Sequence, residues 1–277
     1  MMDIQCIALD VDGTLITDDH QLTPKTNELL RRLHQEGKVI VLCTGRGPVS
    51  ALPLLAEMKI DSVLITHNGA VTLHSGTREI LHQFDFPVAW IEPIVQYCRE
   101  QQVHFDINTA FDMYAEQMRP EAEKMYEMYF ANPIIRENSL EDVPSLVKFT
   151  AFGTREEMDA LEGPLREIVA NSEDLRMIRS GDLFIDIMHR NATKGRALAA
   201  FCANEGLNRE QVAAFGNYYN DVEMLKFAGL GIAMDNSPDE VKAEADEVTL
   251  SNNEEGVYHY LMDRMFVHLK NDPPIPK

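Results

Sequence analysis

Asp10 and Asp12 stand two residues apart where an apolar run ends, in the string Ile7-Ala8-Leu9-Asp10-Val11-Asp12-Gly13-Thr14-Leu15. Ile4 to Leu9 has the length of a buried strand and is bounded by Asp and Gly. Two carboxylates at the end of such a strand are costly to place unless their charge is compensated. A bound cation and a phosphoryl group compensate it. Three further strings fall at comparable places. Thr44-Gly45-Arg46 follows Val39 to Cys43, Lys194-Gly195 opens a helix, and Gly216-Asn217-Tyr218-Tyr219-Asn220-Asp221 follows Val212 to Phe215. Taken singly they say little. Asp-x-Asp-Gly occurs in ordinary turns, Thr-Gly-Arg is common loop sequence, and a Lys at a helix start is usually solvated. Together they define one site, because open parallel sheets carry their ligands outside the carboxyl ends of the strands.

The elements that position these strings alternate strand and helix. A helix is expected from Pro24 to about Glu36, with Thr23 as N-cap, Pro24 in the first turn and Gly37 at the end. Strand Val39–Cys43, a helix near Val49–Met58 and strand Val63–Ile65 follow. The strands are continuously apolar, as in a sheet covered on both faces, and such units pair in parallel through right-handed crossovers. After His67-Asn68-Gly69-Ala70 a hairpin is expected around Ser75-Gly76. From about Phe84 to Ser180 the texture changes to interleaved helices and alternating strands. Helices are expected near Val88–Gln101, Glu121–Phe130 and Glu156–Ala170, with strands at Val103–Ile107, Leu146–Phe152 and Leu175–Ile178. This reads as an α+β insert of about 100 residues with one sheet face covered and the other open. The alternation resumes with helix Thr193–Asn204, strand Val212–Phe215, helix Asp221–Phe227, strand Leu230–Ala233, helix Pro238–Ala245, strand Glu247–Leu250 and a last helix near Gly256–Leu269. The tail Asn271–Lys277 is expected to fray. The expected fold is α/β, a doubly wound, mostly parallel Rossmann-like core over 1–83 and 184–277, with an inserted α+β cap over 84–183.

The chain has 277 residues, 45 acidic against 25 basic, and a formal net charge of −20. Such a surface repels nucleic acid and anionic membranes, so neither is an expected partner. It also repels an anionic small substrate unless the site is locally positive, which gives weight to each basic residue in the motifs. Cys6, Cys43, Cys98 and Cys202 have no paired spacing and read as reduced, buried small hydrophobes. The first residues lack a charged region followed by an apolar signal core, and no apolar run is long enough to span a bilayer, so a cytoplasmic location is expected. Oligomeric state is not legible.

The set of motifs resembles the haloacid dehalogenase superfamily of phosphatases. It is most similar to the Cof-type sugar-phosphatase branch, whose large cap is inserted after the second motif. The Asp-x-Asp-Gly-Thr-Leu string carries most of the resemblance, Asn68-Gly69-Ala70 adds to it, and the likeness covers essentially the whole chain. It implies a magnesium-dependent phosphatase acting on small phosphorylated metabolites, sugar phosphates above all. Asp10 would be the nucleophile that forms an aspartyl-phosphate. Asp12 would protonate the leaving oxygen and then activate water, lying on the same side of an extended backbone. Mg2+ would be held by the Asp10 carboxylate, the Asp12 main-chain oxygen, Asn217 and Asp221. Thr44 and Gly45 would bond phosphate oxygens through hydroxyl and amide, helped by the Val11 amide. Lys194 would offset the charge on Asp10 and the phosphoryl group. Asn220 resembles a phosphate-contacting residue, Asp221 would hold Lys194 or a metal-bound water, and Arg46 and Asn68 would face the substrate.

One departure stands out: the family normally carries Gly-Asp where this chain has Gly216-Asn217. Asn keeps a carbonyl oxygen but loses a charge, so weaker magnesium affinity is expected. Two other readings stay open: a phosphometabolite-binding protein whose catalysis decayed at Asn217, and a phosphomutase on the same fold. Other features have plainer readings. Met125 and Met128, with Met113 and Met118, read as packing. His67 reads as a satisfied loop histidine. Asn191-Ala192-Thr193 matches a glycosylation acceptor but abuts Lys194, and Asn252–Glu255 reads as a helix start.

Overall fold

The structure is a computed structural model describing residues 3–128, 131–180 and 182–266. The chain divides into two compact units. One comprises Met1–Gly45, Ala51–Leu81 and Thr193–Lys277; the other comprises Arg46–Ser50 and His82–Ala192.

The first unit is built on a sheet in the order Glu247–Val248, Leu230–Ala233, Val212–Gly216, Cys6–Leu9, Val39–Cys43, Val63–Thr66, Val71–His74, Ile80–Gln83. The first six strands pair in parallel. Val71–His74 turns back antiparallel on Val63–Thr66. The continuous apolar runs are explained by burial on both faces. Cys6, Ala8, Val41, Val63, Val212 and Ala214 pack against Ala197, Leu198, Phe201, Met224 and Leu225. The alternate residues Ile7, Leu9, Ile40, Leu42 and Phe215 are buried as well, with Tyr260 edge-on to Phe215. Helix Pro24–Gln35 starts as its sequence demands: Thr23 accepts from the Thr26 amide, and Pro24 fills the first turn, where no N–H is needed. Its apolar stripe Leu29, Leu30, Leu33 is buried.

Cys6–Leu9 lies between Val39–Cys43 and Val212–Gly216. The chain thus winds outward one way from the first strand and later returns on its other side. That reversal opens the crevice at the strand carboxyl ends where doubly wound sheets bind ligands, and both acidic motifs sit there.

The second unit has a six-stranded sheet in the order Leu175–Arg179, Phe184–His189, Lys148–Phe152, His104–Asn108, Met113–Ala115, Ile134–Ile135. Helices Glu92–Glu100 and Arg155–Ala170 bury one face, packing on Phe105, Ile107, Phe149, Ala151, Ile185 and Ile187. The other face is polar. Asp106, Thr150 and Asp186 are cross-strand neighbours there, and Thr150 donates to Asp186 at 2.9 Å. Helix Pro120–Met128 lays Tyr126 on this face, its hydroxyl donating to Asp106 at 3.1 Å, so the face is partly covered rather than open.

Several elements differ from expectation. Strand Phe184–His189, expected to restart the core at residue 184, pairs on both sides within this second sheet. Its alternation of Ile185 and Ile187 with Asp186 is that of a sheet apolar on one side only. The last helix is α-helical over Gly256–Tyr260 and widens into a π-turn over Leu261–Met265. Its expected end at Leu269, the tail Asn271–Lys277 and Phe130 lie outside the described residues. All four cysteines are free and buried; burial pushes the Cys98 thiol up to about 12, which makes a poor nucleophile. Among the described residues no helix is long and apolar enough to cross a membrane.

Candidate active site

Extended backbone ends at Leu9, so Asp10 and Asp12 are presented by a tight loop rather than by a continuing strand. The Asp10 amide still donates to Phe215 of the neighbouring strand at 3.0 Å, which pins the residue at the sheet edge. The Val11 carbonyl accepts from the amides of Leu15 and Ile16 at 3.0 and 3.1 Å and closes the loop. Gly13 has φ +76, a conformation that favours glycine. A methyl group there would also come within 2.3 Å of the Asn217 amide. The loop therefore needs Gly for its backbone and for the approach of Asn217.

Lys194 joins the motifs. Its Nζ donates to Asp10 Oδ1 and to Asp221 Oδ1, both at 2.7 Å. All three groups are buried, with Lys194 at 1% and Asp221 at 0% exposure. A buried ammonium is tolerable only with such partners. Burial alone works to lower the Lys194 pKa, but the two carboxylates outweigh it and hold the pKa above its ordinary value. The Asp10 pKa rises as well, which for a carboxyl favours the neutral form. Burial, then the nearby Asp221 charge, raise it to about 7 against the opposing pull of Lys194. Two carboxylates and one ammonium leave this buried cluster one negative charge in excess, which favours a cation beside Asp10.

Lys194 reaches this point through its helix start. Thr193 caps helix Lys194–Asn204, accepting from the Arg196 amide at 3.1 Å and donating to Glu223 at 2.6 Å. Gly69, at φ +98, lies so close that a methyl group there would meet the Thr193 carbonyl oxygen at 2.2 Å. Neither Glu223 nor the Gly69 approach is signalled by spacing, since both depend on contacts between distant segments. Thr14 is a further residue with no expected role. Buried at 2% exposure, it donates to Asp10 Oδ2 at 2.8 Å. Its place in the Asp-x-Asp-Gly-Thr string was the available signal.

Asp221 uses its whole carboxylate on the scaffold. Oδ1 takes Lys194, and Oδ2 accepts the amides of Asn217 and Tyr218 at 2.9 and 3.1 Å. Of the roles expected for it, holding Lys194 is the one its geometry serves, and its oxygens are committed away from a metal. The oxygen-bearing groups beside Asp10 are different. One end of the Asn217 amide stands 3.1 Å from Asp10 Oδ2 and 3.1 Å from the Asp12 main-chain oxygen. Oxygen ligands ~2.1 Å from a magnesium ion on neighbouring octahedral corners lie about 3 Å apart. Asp10 Oδ2, Asp12 O and the Asn217 amide oxygen thus fit a small hard cation in chemistry and spacing. Among the described residues no group of three or more His, Cys, Asp or Glu could hold a metal, so such a site relies on the main chain and the amide.

The remaining residues are partly assembled. The Asp12 side chain is 38% exposed, with His20 Nδ1 at 3.6 Å, whereas Asp10 is buried. Thr44 is buried, its amide donating to Ile65 at 2.8 Å and its carbonyl accepting from the Asn68 amide at 3.0 Å. A methyl at Gly45 would come within 3.0 Å of Asn68 Oδ1. Asn68, left-handed at φ +56, accepts from Asn220 Nδ2 at 2.9 Å. Thr44, Gly45, Asn68 and Asn220 therefore form one connected group, whereas Arg46 belongs to the second unit. Val11 is fully buried.

A family model described as haloacid dehalogenase-like hydrolase matches residues 7–261. The chain is 29% identical over 262 residues to the 5-amino-6-(5-phospho-D-ribitylamino)uracil phosphatase YitU of Bacillus subtilis, covering 93% of this chain and 96% of that one. It is 26% identical over 282 residues to the pyridoxal phosphate phosphatase YbhA of Escherichia coli, covering 95% and 100%. Among solved structures, the subclass IIB sugar phosphatase BT4131 superposes with a TM-score of 0.79 at 25% identity, covering 94% of this chain and 98% of that one.

Proposed function

Because the chain belongs to the haloacid dehalogenase-like hydrolase family and is a phosphatase, we propose that it hydrolyses small phosphate monoesters through an aspartyl-phosphate on Asp10, with Mg2+ as cofactor. The observation that carries this reading is the buried Asp10–Lys194–Asp221 array, whose second Asp10 oxygen lies 3.1 Å from the same end of the Asn217 amide that stands 3.1 Å from the Asp12 carbonyl oxygen. Mg2+ held by Asp10, Asp12 O and Asn217 would draw charge from the phosphoryl oxygens and lower the repulsion between two anions.

In the first step an Asp10 oxygen bonds to phosphorus and the phosphorus–oxygen ester bond breaks. The Asp12 carboxyl gives its proton to the leaving oxygen, so an alcohol departs. In the second step the Asp12 carboxylate takes a proton from water, whose oxygen bonds to phosphorus while the Asp10–phosphorus linkage breaks. Inorganic phosphate leaves and Asp10 is restored. Thr44, Gly45, the Val11 amide and Asn220 hold the phosphoryl oxygens, Lys194 keeps Asp10 ionised and aimed, and Asp221 positions Lys194. Arg46 and Asn68 face the substrate. The second unit acts as a cap that chooses the leaving group and excludes bulk water. Sugar phosphates are the substrate class this reading favours. The names of YitU and BT4131 point the same way, and that of YbhA widens the range. We place the protein in the cytoplasm, a reading that the free, buried cysteines support.

The test is release of inorganic phosphate from an aryl phosphate. Turnover is expected to stop in excess chelator and to return on adding magnesium. A phosphoryl group that stays on the enzyme or moves to a second sugar would instead mark a phosphomutase. The absence of any release at saturating magnesium would favour a binding protein.

A further inference from the structure

The end of the Asn217 amide that stands 3.1 Å from both Asp10 Oδ2 and Asp12 O faces two pure acceptors. The Thr14 hydroxyl stands 2.8 Å from Asp10 Oδ2 and 3.3 Å from that same amide end, and its single proton goes to the shorter contact. With Asp10 ionised and no metal bound, only nitrogen at that end satisfies both oxygens, because oxygen there would bring three acceptors together with only the Thr14 proton among them. A bound cation inverts the requirement, since it needs oxygen at that same point. We propose that Asn217 closes its own cation pocket with an amide N–H and must turn its amide half a revolution to admit magnesium. This rests on the phosphatase reading above and adds a gate to it.

The surroundings leave that rotation as the available movement. The Asn217 main chain is held by its amide bond to Asp221 Oδ2 at 2.9 Å. Gly13 backs the amide so closely that a methyl group would reach it at 2.3 Å. Turning the amide about its last side-chain bond exchanges nitrogen for oxygen with almost no displacement of heavy atoms. The aspartate usual at this position in the family cannot do this. It has no N–H with which to close the pocket, and it sets a second negative charge 3.1 Å from Asp10. Asn at 217 therefore trades magnesium affinity for a stable metal-free site, and Asn217→Asp must move the two properties in opposite directions.

Both can be read without turnover. At pH 8 in chelator, Asn217→Asp is expected to lower the unfolding midpoint by about 4 °C or more. By calorimetry it is expected to bind magnesium about tenfold more tightly than the wild type. In wild-type protein labelled with nitrogen-15 and carbon-13, the side-chain NH2 pair of Asn217 (assigned through bonds from its own backbone resonances) should be protected from solvent exchange in chelator. Magnesium should shift it and remove the protection. An unchanged midpoint in chelator overturns the proposal. So does an Asn217 NH2 pair that ignores saturating magnesium, a result that needs no variant to fold. If the opposed shifts appear but no phosphate is ever released, the gate stands and the enzymatic reading falls.

Discussion

Asp10→Asn is expected to cut phosphate release by about ten-thousand-fold or more while the protein stays folded. An amide can neither attack phosphorus nor carry the charge that draws Lys194 toward the reacting atoms. The fold survives because Lys194 keeps Asp221 at 2.7 Å. The new amide can turn its oxygen to Lys194 and its nitrogen toward Thr14 and Asn217. The variant should also change how stability depends on pH in the metal-free protein. The Asp10 carboxyl rises from 3.8 to about 7 on folding. A group whose pKa is raised by folding contributes stability below its unfolded value and loses it as pH climbs through the folded one. The wild type should therefore weaken relative to Asp10→Asn between about pH 4 and 7. Urea titrations in chelator at several pH values measure this. A parallel course for the two proteins would mean that Asp10 is not held in a charge-averse site.

Lys194→Met should damage both fold and activity. The substitution keeps most of the side-chain volume, so its cost is electrostatic rather than a cavity. It leaves Asp10 and Asp221 buried with no cation between them. Breaking a buried ion pair in this way costs about 3–5 kcal/mol, and turnover should fall about a thousand-fold or more with loss of the charge beside the nucleophile. Two checks separate charge from packing. Asp10, already raised, loses the Lys194 pull that opposed its rise, so the variant should regain stability as pH falls toward 5. Adding Asp221→Asn removes one of the stranded charges, and the double variant should recover stability but not activity. A variant equally unstable at both pH values, and not helped by Asp221→Asn, would show that Lys194 serves only as packing.

Much of this site could be read from the chain, for a physical reason. Strand-end motifs are short, local and chemically unusual, and a parallel sheet brings them together by topology alone. Asp10, Lys194 and Asp221 are 184 and 27 positions apart in their two contacts, yet each follows a strand or opens a helix that its own apolar pattern announces. Helix Pro24–Gln35 was equally plain, because Thr23 and Pro24 act within one turn. What stayed hidden depends on pairing or on side-chain commitment. Phe184–His189 is apolar and alternating, and either sheet could take it; its register with Phe149–Phe152 on one side and Leu175–Arg179 on the other assigns it. The commitment of both Asp221 oxygens and the bond from Thr14 to Asp10 follow from loop geometry that spacing does not encode. The departure at Asn217 was visible as a missing charge. Its capacity to donate to Asp10 and Asp12 came only with the 3.1 Å distances.

The most direct test is to mix enzyme, magnesium and a phosphate monoester, quench in acid within a single turnover, and weigh the peptides. The peptide that contains Asp10 should gain the mass of one phosphoryl group, should lose it to hydroxylamine, and should never gain it in Asp10→Asn. Full turnover with that peptide unmodified, or a phosphoryl group found on another residue, would contradict Asp10 as the nucleophile.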